Sequence, residues 1–123
     1  MSKIKVLVLN DLELKEKEID NSLKALQNEV GGYIEIPCFS RKLSENNIDM
    51  IINEEGKVNR LQPQLAIYQD NKIVDVICGN IIFASANEDD DTIGLTDEQI
   101  EVVKEVLKYD VICEFGFLKS MQM

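Results

Sequence analysis

Histidine is absent from this sequence of 123 residues, and so is tryptophan. Without histidine, Ser-His-Asp and Cys-His catalysis are excluded, together with the commonest general base near neutral pH. The sequence also lacks a Walker-type lysine motif, so only a carboxylate, cysteine or lysine mechanism remains. We therefore predict that the protein is not an enzyme and has no catalytic residue.

Cysteine is scarce, because Cys38, Cys78 and Cys113 are the only three and no CxxC motif occurs. A structural zinc site normally needs four Cys or His ligands, so we predict no metal site and no cofactor. Each cysteine lies among apolar neighbours. This setting favours three buried, reduced thiols.

Long hydrophobic runs are also missing, since the longest cover only residues 6–9, 48–52 and 81–84. A membrane-spanning helix needs about 20 apolar residues, and the N-terminus has no signal-peptide pattern. We predict a protein of the cytoplasm that does not enter a membrane. Basic residues are few, and the net charge of −10 opposes direct binding to nucleic acid or to an anionic lipid surface.

What the sequence does contain is enough apolar material, at 45%, for the core of one domain over residues 1–123. Short β-branched runs predict strands, and these segments are residues 4–9, 33–39, 48–53, 67–68, 72–77 and 81–86. Alternating charged and apolar residues at 12–19 predict a loop with a short edge strand, and polar composition predicts a loop at 40–47. Residues 79–80 are predicted to form a kink or bulge, because only two residues separate the flanking runs.

Two helices are predicted, over residues 22–30 and from Thr96 to residue 108. Asp20 or Ser22 is placed to cap the first helix, and Thr96 with Gln99 has the spacing of a capping box that begins the second. The fold class is α+β: a single domain with an antiparallel or mixed sheet of about five to six strands and two helices packed on it. Along the second helix the residues predicted to face inward are Gln99, Val103, Val106 and Leu107.

Negative charge is concentrated in the second half of the chain. Residues 1–60 hold nine Lys and Arg against eleven Asp and Glu, whereas residues 61–123 hold four against twelve. An uneven distribution of this kind suits a basic partner, although a solvated surface is the ordinary interpretation. The candidate partner-binding residues are Glu88, Asp89, Asp90, Asp91, Glu98, Glu101 and Glu105.

A second candidate site contains the few basic side chains away from the N-terminus. Together with an amide and a phenol they form a set that suits an anionic, nucleotide-like ligand if the fold brings them together. Plain solvation is again the ordinary interpretation. The residues of this alternative are Arg41, Lys42, Asn53, Arg60 and Tyr68.

The order of several segments resembles the family of small proteins called domain of unknown function 3846. The similar segments are residues 19–27, 30–35, 53–57, 73–80 and 95–100, and together they cover most of residues 4–108. The resemblance implies an origin in phages, plasmids or other mobile elements, and an accessory or host-directed role that includes counter-defence. It implies no activity. Residues 110–123 lie outside it, as a tail or a segment for homo-oligomerisation.

The sequence therefore predicts a non-enzymatic accessory protein of a phage or mobile element in a bacterial host. It is expected to bind and inhibit a host defence protein that has a basic surface, through its own acidic surface. The alternative hypothesis is a small-ligand binder that sequesters a signalling nucleotide.

Overall fold

A computed structural model describes residues 3–69 and 72–109, apart from the side chains of Tyr68, Gln69, Val74, Lys108 and Tyr109. The predicted tail, residues 110–123 with Cys113, lies outside the described residues. The elements are β1 (Lys3–Asn10), β2 (Glu13–Asp20), α1 (Leu23–Val30), β3 (Ile34–Glu35), α2 (Arg41–Glu45), β4 (Ile48–Asn53), β5 (Pro63–Gln69), β6 (Lys72–Cys78), β7 (Ile81–Ala86), β8 (Thr92–Ile93) and α3 (Asp97–Tyr109).

The main sheet has six strands in the order β2-β1-β7-β4-β3, with β8 added to β7, and every pairing is antiparallel. Strands β5 and β6 form a separate antiparallel hairpin. Helix α1 packs on one face of the main sheet, whereas α2, α3 and the β5–β6 hairpin share the core on the other face. The predicted α+β fold with a six-stranded sheet is confirmed.

Strand β1 explains why the core has two sides. Its side chains alternate, so Val6 and Val8 join the cluster beneath α1 while Leu7 and Leu9 join the cluster beneath α3. All four are buried. Full burial of each such side chain stabilises the fold by about 1.5–3 kcal/mol. Burial on both faces makes β1 a central strand, as its apolar run indicates.

The edge strand predicted within residues 12–19 is longer than expected and replaces the predicted loop, because β2 pairs with β1 along its whole length. Its side chains are mostly charged and exposed, as suits an edge strand that must not aggregate. Asp11 and Leu12 form the two-residue turn, with φ of 53° and 64°. The left-handed conformation at Leu12 is held by a bond in which its N–H donates to the buried Gln64 Oε1 at 2.8 Å.

The loop predicted at residues 40–47 contains a third helix, α2. Ser40 caps it, since its Oγ accepts from the backbone N–H of Leu43 at 3.3 Å. The strand predicted at 33–39 is shorter than expected, because only Ile34 and Glu35 pair with β4. Residues 36–39 instead run as irregular backbone beside the start of α2.

Residues 79–80 carry the chain from the hairpin to the main sheet, in line with the predicted kink. Gly79 has a φ of 93°, which favours glycine. The turn before β5 approaches this point so closely that a Cβ at Gly56 would lie 2.0 Å from the carbonyl oxygen of Cys78. The two sheets are therefore joined tightly at this end of β4.

Helix α3 begins at the predicted capping box. The Thr96 Oγ1 accepts from the Gln99 backbone N–H at 3.1 Å, and the Gln99 Oε1 accepts from the Thr96 N–H at 2.9 Å. The buried side chains are Ile100, Val103, Val106 and Leu107, whereas Gln99 is only half-buried. This register turns the predicted acidic residues of α3 to the outside.

Candidate functional site

The acidic loop, defined as Glu88, Asp89, Asp90 and Asp91, connects β7 to β8, and all four residues are exposed. Asn87 organises its backbone, because its Oδ1 accepts from the N–H groups of Asp89 at 2.9 Å and Asp91 at 3.0 Å. Two backbone bonds between Asn87 and residues 90 and 91 close the turn. The loop thus holds four like charges on a fixed backbone.

The acidic face of α3, defined as Glu98, Glu101 and Glu105, is exposed as predicted. Two of its carboxylates have cationic neighbours: Glu105 pairs with Lys42 at 3.1 Å, and Glu101 pairs with Lys104 at 3.7 Å. Glu98 has no ion pair among the described side chains. Among the candidate partner-binding residues, those without an ion pair to a described side chain are therefore the acidic loop and Glu98.

The turn between α2 and β4 joins these two acidic segments. The Gln99 Nε2 of α3 donates to the carbonyl oxygen of Asn46 at 2.9 Å. The backbone N–H of Ala86, just before the loop, donates to the carbonyl oxygen of Asn47 at 2.9 Å. Because neighbouring residues of one turn anchor both segments, the fold places the first turn of α3 near the end of β7, where the acidic loop begins.

A cleft of about 270 Å³ lies beside the acidic loop, and we call it the Asp49 cleft. Asp49 and Asp90 line it together with Asn47 and Asn87, and apolar side chains that include Phe39 and Met50 complete its walls. Burial raises the pKa of the Asp49 carboxyl above its ordinary value, and the negative charge of Asp90 raises it further. Asp49 was not among the predicted site residues, since nothing local in the sequence links it to residue 90.

A second cleft of about 250 Å³, the Lys57 cleft, lies at the other end of β4, between the turn after that strand and β6. Lys57 forms an ion pair with Asp75 inside it. Burial raises the pKa of the Cys78 thiol in this cleft; Lys57 opposes the shift and Asp75 adds to it. Glu54 and Glu55, which begin the same turn, are exposed as expected for a turn.

The prediction of three buried thiols is wrong for Cys38, which is exposed at the Asp49 cleft. The irregular backbone of residues 36–39 explains this, because no strand pairing buries the side chain. Cys78 is half-buried, and both thiols are free.

The structure distributes the alternative ligand-binding residues over separate places. Arg41 and Lys42 lie on α2 and pair with Glu45 at 3.9 Å and Glu105 at 3.1 Å. Asn53 lies at the far end of β4, roughly 17 Å from its first residue at about 3.3 Å per residue.

The amide of Asn53 is used within the fold, since its Nδ2 donates to the Val30 carbonyl at 3.0 Å and its Oδ1 accepts from the Glu55 N–H at 2.7 Å. Arg60 is exposed in the turn, and the Tyr68 side chain lies outside the described part. The four described side chains therefore do not form one anion pocket.

Two further features bear on the kind of site present. Among residues 3–69 and 72–109, no helix is long and apolar enough to cross a membrane. Over the same described residues, no group of three or more Cys, Asp or Glu side chains is arranged to hold a metal ion.

Comparison with known proteins gives one match. Neither the curated proteins nor the solved structures contain a match to this chain. The family model described as Domain of unknown function (DUF3846) matches residues 4–108, from β1 into α3. The match covers most of the chain and confirms the resemblance seen in the sequence. This chain therefore belongs to the family Domain of unknown function (DUF3846).

Proposed function

We propose that this protein is a non-enzymatic binding protein whose acidic loop, together with Glu98, captures a basic surface of another protein. The observation that carries the proposal is the uncompensated charge of the acidic loop on a backbone fixed by Asn87. Oppositely charged surfaces accelerate encounter and select partners. A loop that is already ordered also loses less conformational entropy on binding than a flexible loop.

The Asp49 cleft supports this proposal by offering a place for one cationic side chain of the partner. Asp49 and Asp90 supply negative charge at the cleft, and the apolar walls suit the aliphatic stem of a lysine or arginine. Burial, and to a smaller extent the negative charge of Asp90, raises the pKa of Asp49, and a bound cation would offset the repulsion between these two carboxylates.

The same charges oppose the nucleotide-binding alternative. The Asp49 cleft has two carboxylates, and the Lys57 cleft has four carboxylates against one lysine. A thermal-shift screen with nucleotides tests this directly, since tight binding raises the unfolding temperature. A clear shift would favour the alternative.

The central test compares two charge reversals of equal size. Glu88→Lys with Asp89→Lys removes charge from the acidic loop and avoids Asp90, whose φ of 61° suits Asp better than Lys. The control is Glu54→Lys with Glu55→Lys, two exposed residues in the turn at the opposite end of β4. Both variants have the same net charge.

Fluorescence anisotropy with a Lys- and Arg-rich peptide measures the outcome at about 50 mM and about 150 mM salt. The loop reversal is expected to weaken binding about tenfold, with a much smaller change in the control. Equal losses in both variants would mean that only net charge acts, and the proposal would fail.

The narrower form of the proposal is that the partner is a defence protein in the cytoplasm of a bacterial host of phages or mobile elements. It derives from the sequence resemblance. Affinity capture from a bacterial host with the wild-type protein and the loop reversal tests it. A defence protein retained by the wild type and lost with the reversal supports it, whereas identical captured sets contradict it.

A further inference from the structure

A groove of mixed polar and apolar lining also borders the acidic loop, between the start of α1 and β8. Its volume is about 500 Å³; Leu23, Leu26, Ile34 and Ile93 form its apolar part, and the polar side chains include Asn21, Ser22 and Thr92. Leu23 is 59% exposed and Ile93 is 37% exposed, so large apolar surface faces solvent there. We call this the Leu23 groove.

A hydrogen bond and the core hold the residues of the Leu23 groove in place, and an acidic residue lies at its edge. The Asn21 Nδ2 donates to the carbonyl oxygen of Thr92 at 3.2 Å and links the segment before α1 to β8. Leu26 is buried in the core and Ile34 packs against it, so the floor belongs to the folded core. Asp91 of the acidic loop and Asn87, which fixes that loop, stand at the edge.

The acidic loop thus borders two recesses. Asp90 lines the Asp49 cleft, and Asp91 borders the Leu23 groove, where Leu23 and Ile93 are exposed apolar side chains. A partner that binds the loop by charge therefore meets apolar surface immediately beside it. Interfaces usually draw most of their affinity from a few buried apolar or aromatic anchors, and charge pairs chiefly set specificity and the association rate.

We propose that the Leu23 groove receives an apolar side chain from a segment of a partner protein. In that segment a lysine or arginine closely follows the apolar residue and reaches Asp91. The inference rests on the proposed function and adds the apolar anchor to it. The chemistry of the occupant follows from charge complementarity, since the rim of the groove carries Asp91 and belongs to a chain of net charge −10.

A second copy of this chain fits the groove less well. A symmetric dimer presents the same patch from both subunits, so the two acidic loops would approach each other. The like charges of the two acidic loops repel each other. The apolar contact between Leu23 and Ile93 of the two copies would have to overcome this repulsion.

The test uses two peptides and three protein variants. One peptide places a leucine or phenylalanine beside arginines, and the other replaces only that apolar residue with serine. Leu23→Ser and Ile93→Thr reduce the apolar surface of the groove, and Val58→Ser is the control. Val58 is 78% exposed on the turn after β4 and lies outside the groove.

The groove variants are expected to bind the apolar-basic peptide about tenfold more weakly and the serine peptide as the wild type does. Val58→Ser is expected to bind both peptides normally. Equal affinity of all variants for the apolar-basic peptide would overturn the groove assignment alone. Binding of neither peptide by the wild type would overturn the proposed function itself.

Two further measurements exclude other occupants. If sedimentation shows a wild-type dimer that Leu23→Ser converts to monomers, the groove belongs to a second copy and the assignment is wrong. If truncation after residue 109 raises affinity for the apolar-basic peptide about tenfold, the occupant is the chain's own segment 110–123. If the wild type is a monomer and the truncation leaves the affinity unchanged, the occupant is a segment of a partner. Circular dichroism of each variant confirms that folding is intact.

Discussion

Residues 88–91 and the exposed face of α3 both contain several carboxylates, but their electrostatic surroundings differ. In α3, Glu101 and Glu105 pair with Lys104 and Lys42, and Asp97 pairs with Lys5 at 3.2 Å. The carboxylates of the acidic loop have no ion pair among the described side chains, and hydrogen bonds to the side chain and backbone of Asn87 order the loop.

The contrast separates charge that serves the fold from charge that is free for a partner. Asp97 and Glu98 also interact favourably with the positive end of the α3 dipole, so part of the helix charge has a local role. A count of acidic residues cannot distinguish these cases, because Lys5 and Lys42 are distant in the sequence from the carboxylates with which they pair. Fewer of the candidate residues therefore lack an ion pair than the sequence alone suggests.

The largest effect is expected when the two regions are reversed separately. Glu88→Lys with Asp89→Lys should lower affinity for a basic partner about tenfold, whereas Glu101→Lys with Glu105→Lys should lower it less than about threefold. The free energy of unfolding should show the opposite order. The helix reversal should cost about 0.5–1 kcal/mol because it removes two surface ion pairs.

Anisotropy and urea denaturation of the two double variants measure both quantities. The charge change is identical, so each variant is the control for the other. Equal losses of affinity would show that the helix face is as available as the loop, and the contrast drawn from the ion pairs would be wrong.

Removal of the helix cap should affect the fold without affecting the partner. Thr96→Ala deletes the Oγ1 that accepts from the Gln99 N–H, and the expected cost is about 1 kcal/mol of unfolding free energy. Affinity should be unchanged, because no charge of the acidic loop moves. Thr96→Ser, which keeps the hydroxyl, is the matched control. A clear loss of affinity in Thr96→Ala alone would show that capture depends on the cap that holds Glu98 in the first turn of α3.

Loss of the Asn87 amide should have a smaller effect on stability and a selective effect on binding. Asn87→Ala keeps all four charges of the acidic loop but removes both side-chain hydrogen bonds that order it. We expect a cost of about 0.5–1 kcal/mol, since these bonds are exposed, and a loss of affinity of a few fold from reduced preorganisation.

Calorimetric titration of Asn87→Ala against the basic peptide should show a less favourable entropy of binding than for the wild type. Asn87→Asp, whose carboxylate can accept the same two bonds, is the control. If Asn87→Ala binds as tightly as the wild type, charge alone is sufficient and loop order is irrelevant.

The sequence predicted local features well. The capping box at Thr96 and Gln99 is readable because both halves lie within four residues, and the apolar run of β1 requires burial on both sides. Strand β2 was predicted too short because a charged edge strand has the composition of a loop, and its order comes from pairing with β1. Helix α2 was missed because five residues are too few to establish a helical period.

The candidate site was predictable only in part, because the sequence shows local patterns but not the contacts between distant residues. The acidic residues are conspicuous in the sequence, but their compensation depends on contacts such as that of Lys42 with Glu105, 63 positions apart. The Asp49 cleft and the Leu23 groove depend on residues brought to the acidic loop from β4 and α1. No local pattern contains such information.

The smallest effect concerns Asp49, and it links the acidic loop to the stability of the fold. Burial, and then Asp90, raise the pKa of the Asp49 carboxyl above its ordinary value of 3.8 in the folded protein. Between the pKa of the unfolded state and the raised pKa of the folded state, Asp49 therefore carries a proton more often in the folded state than in the unfolded state. It follows that the contribution of Asp49 to stability is greatest below pH 3.8 and is lost as the pH rises through the folded pKa.

Asp49→Asn should consequently raise the free energy of unfolding relative to the wild type at pH 7, and the difference should vanish in acid. Urea denaturation at a series of pH values measures it. Asp90→Asn should reduce the pH dependence only in part, because burial is the larger cause and Asp90 the smaller. If Asp90→Asn left the pH dependence unchanged, the charge of the acidic loop would not reach the Asp49 cleft. Loop and cleft would then be independent parts of the surface.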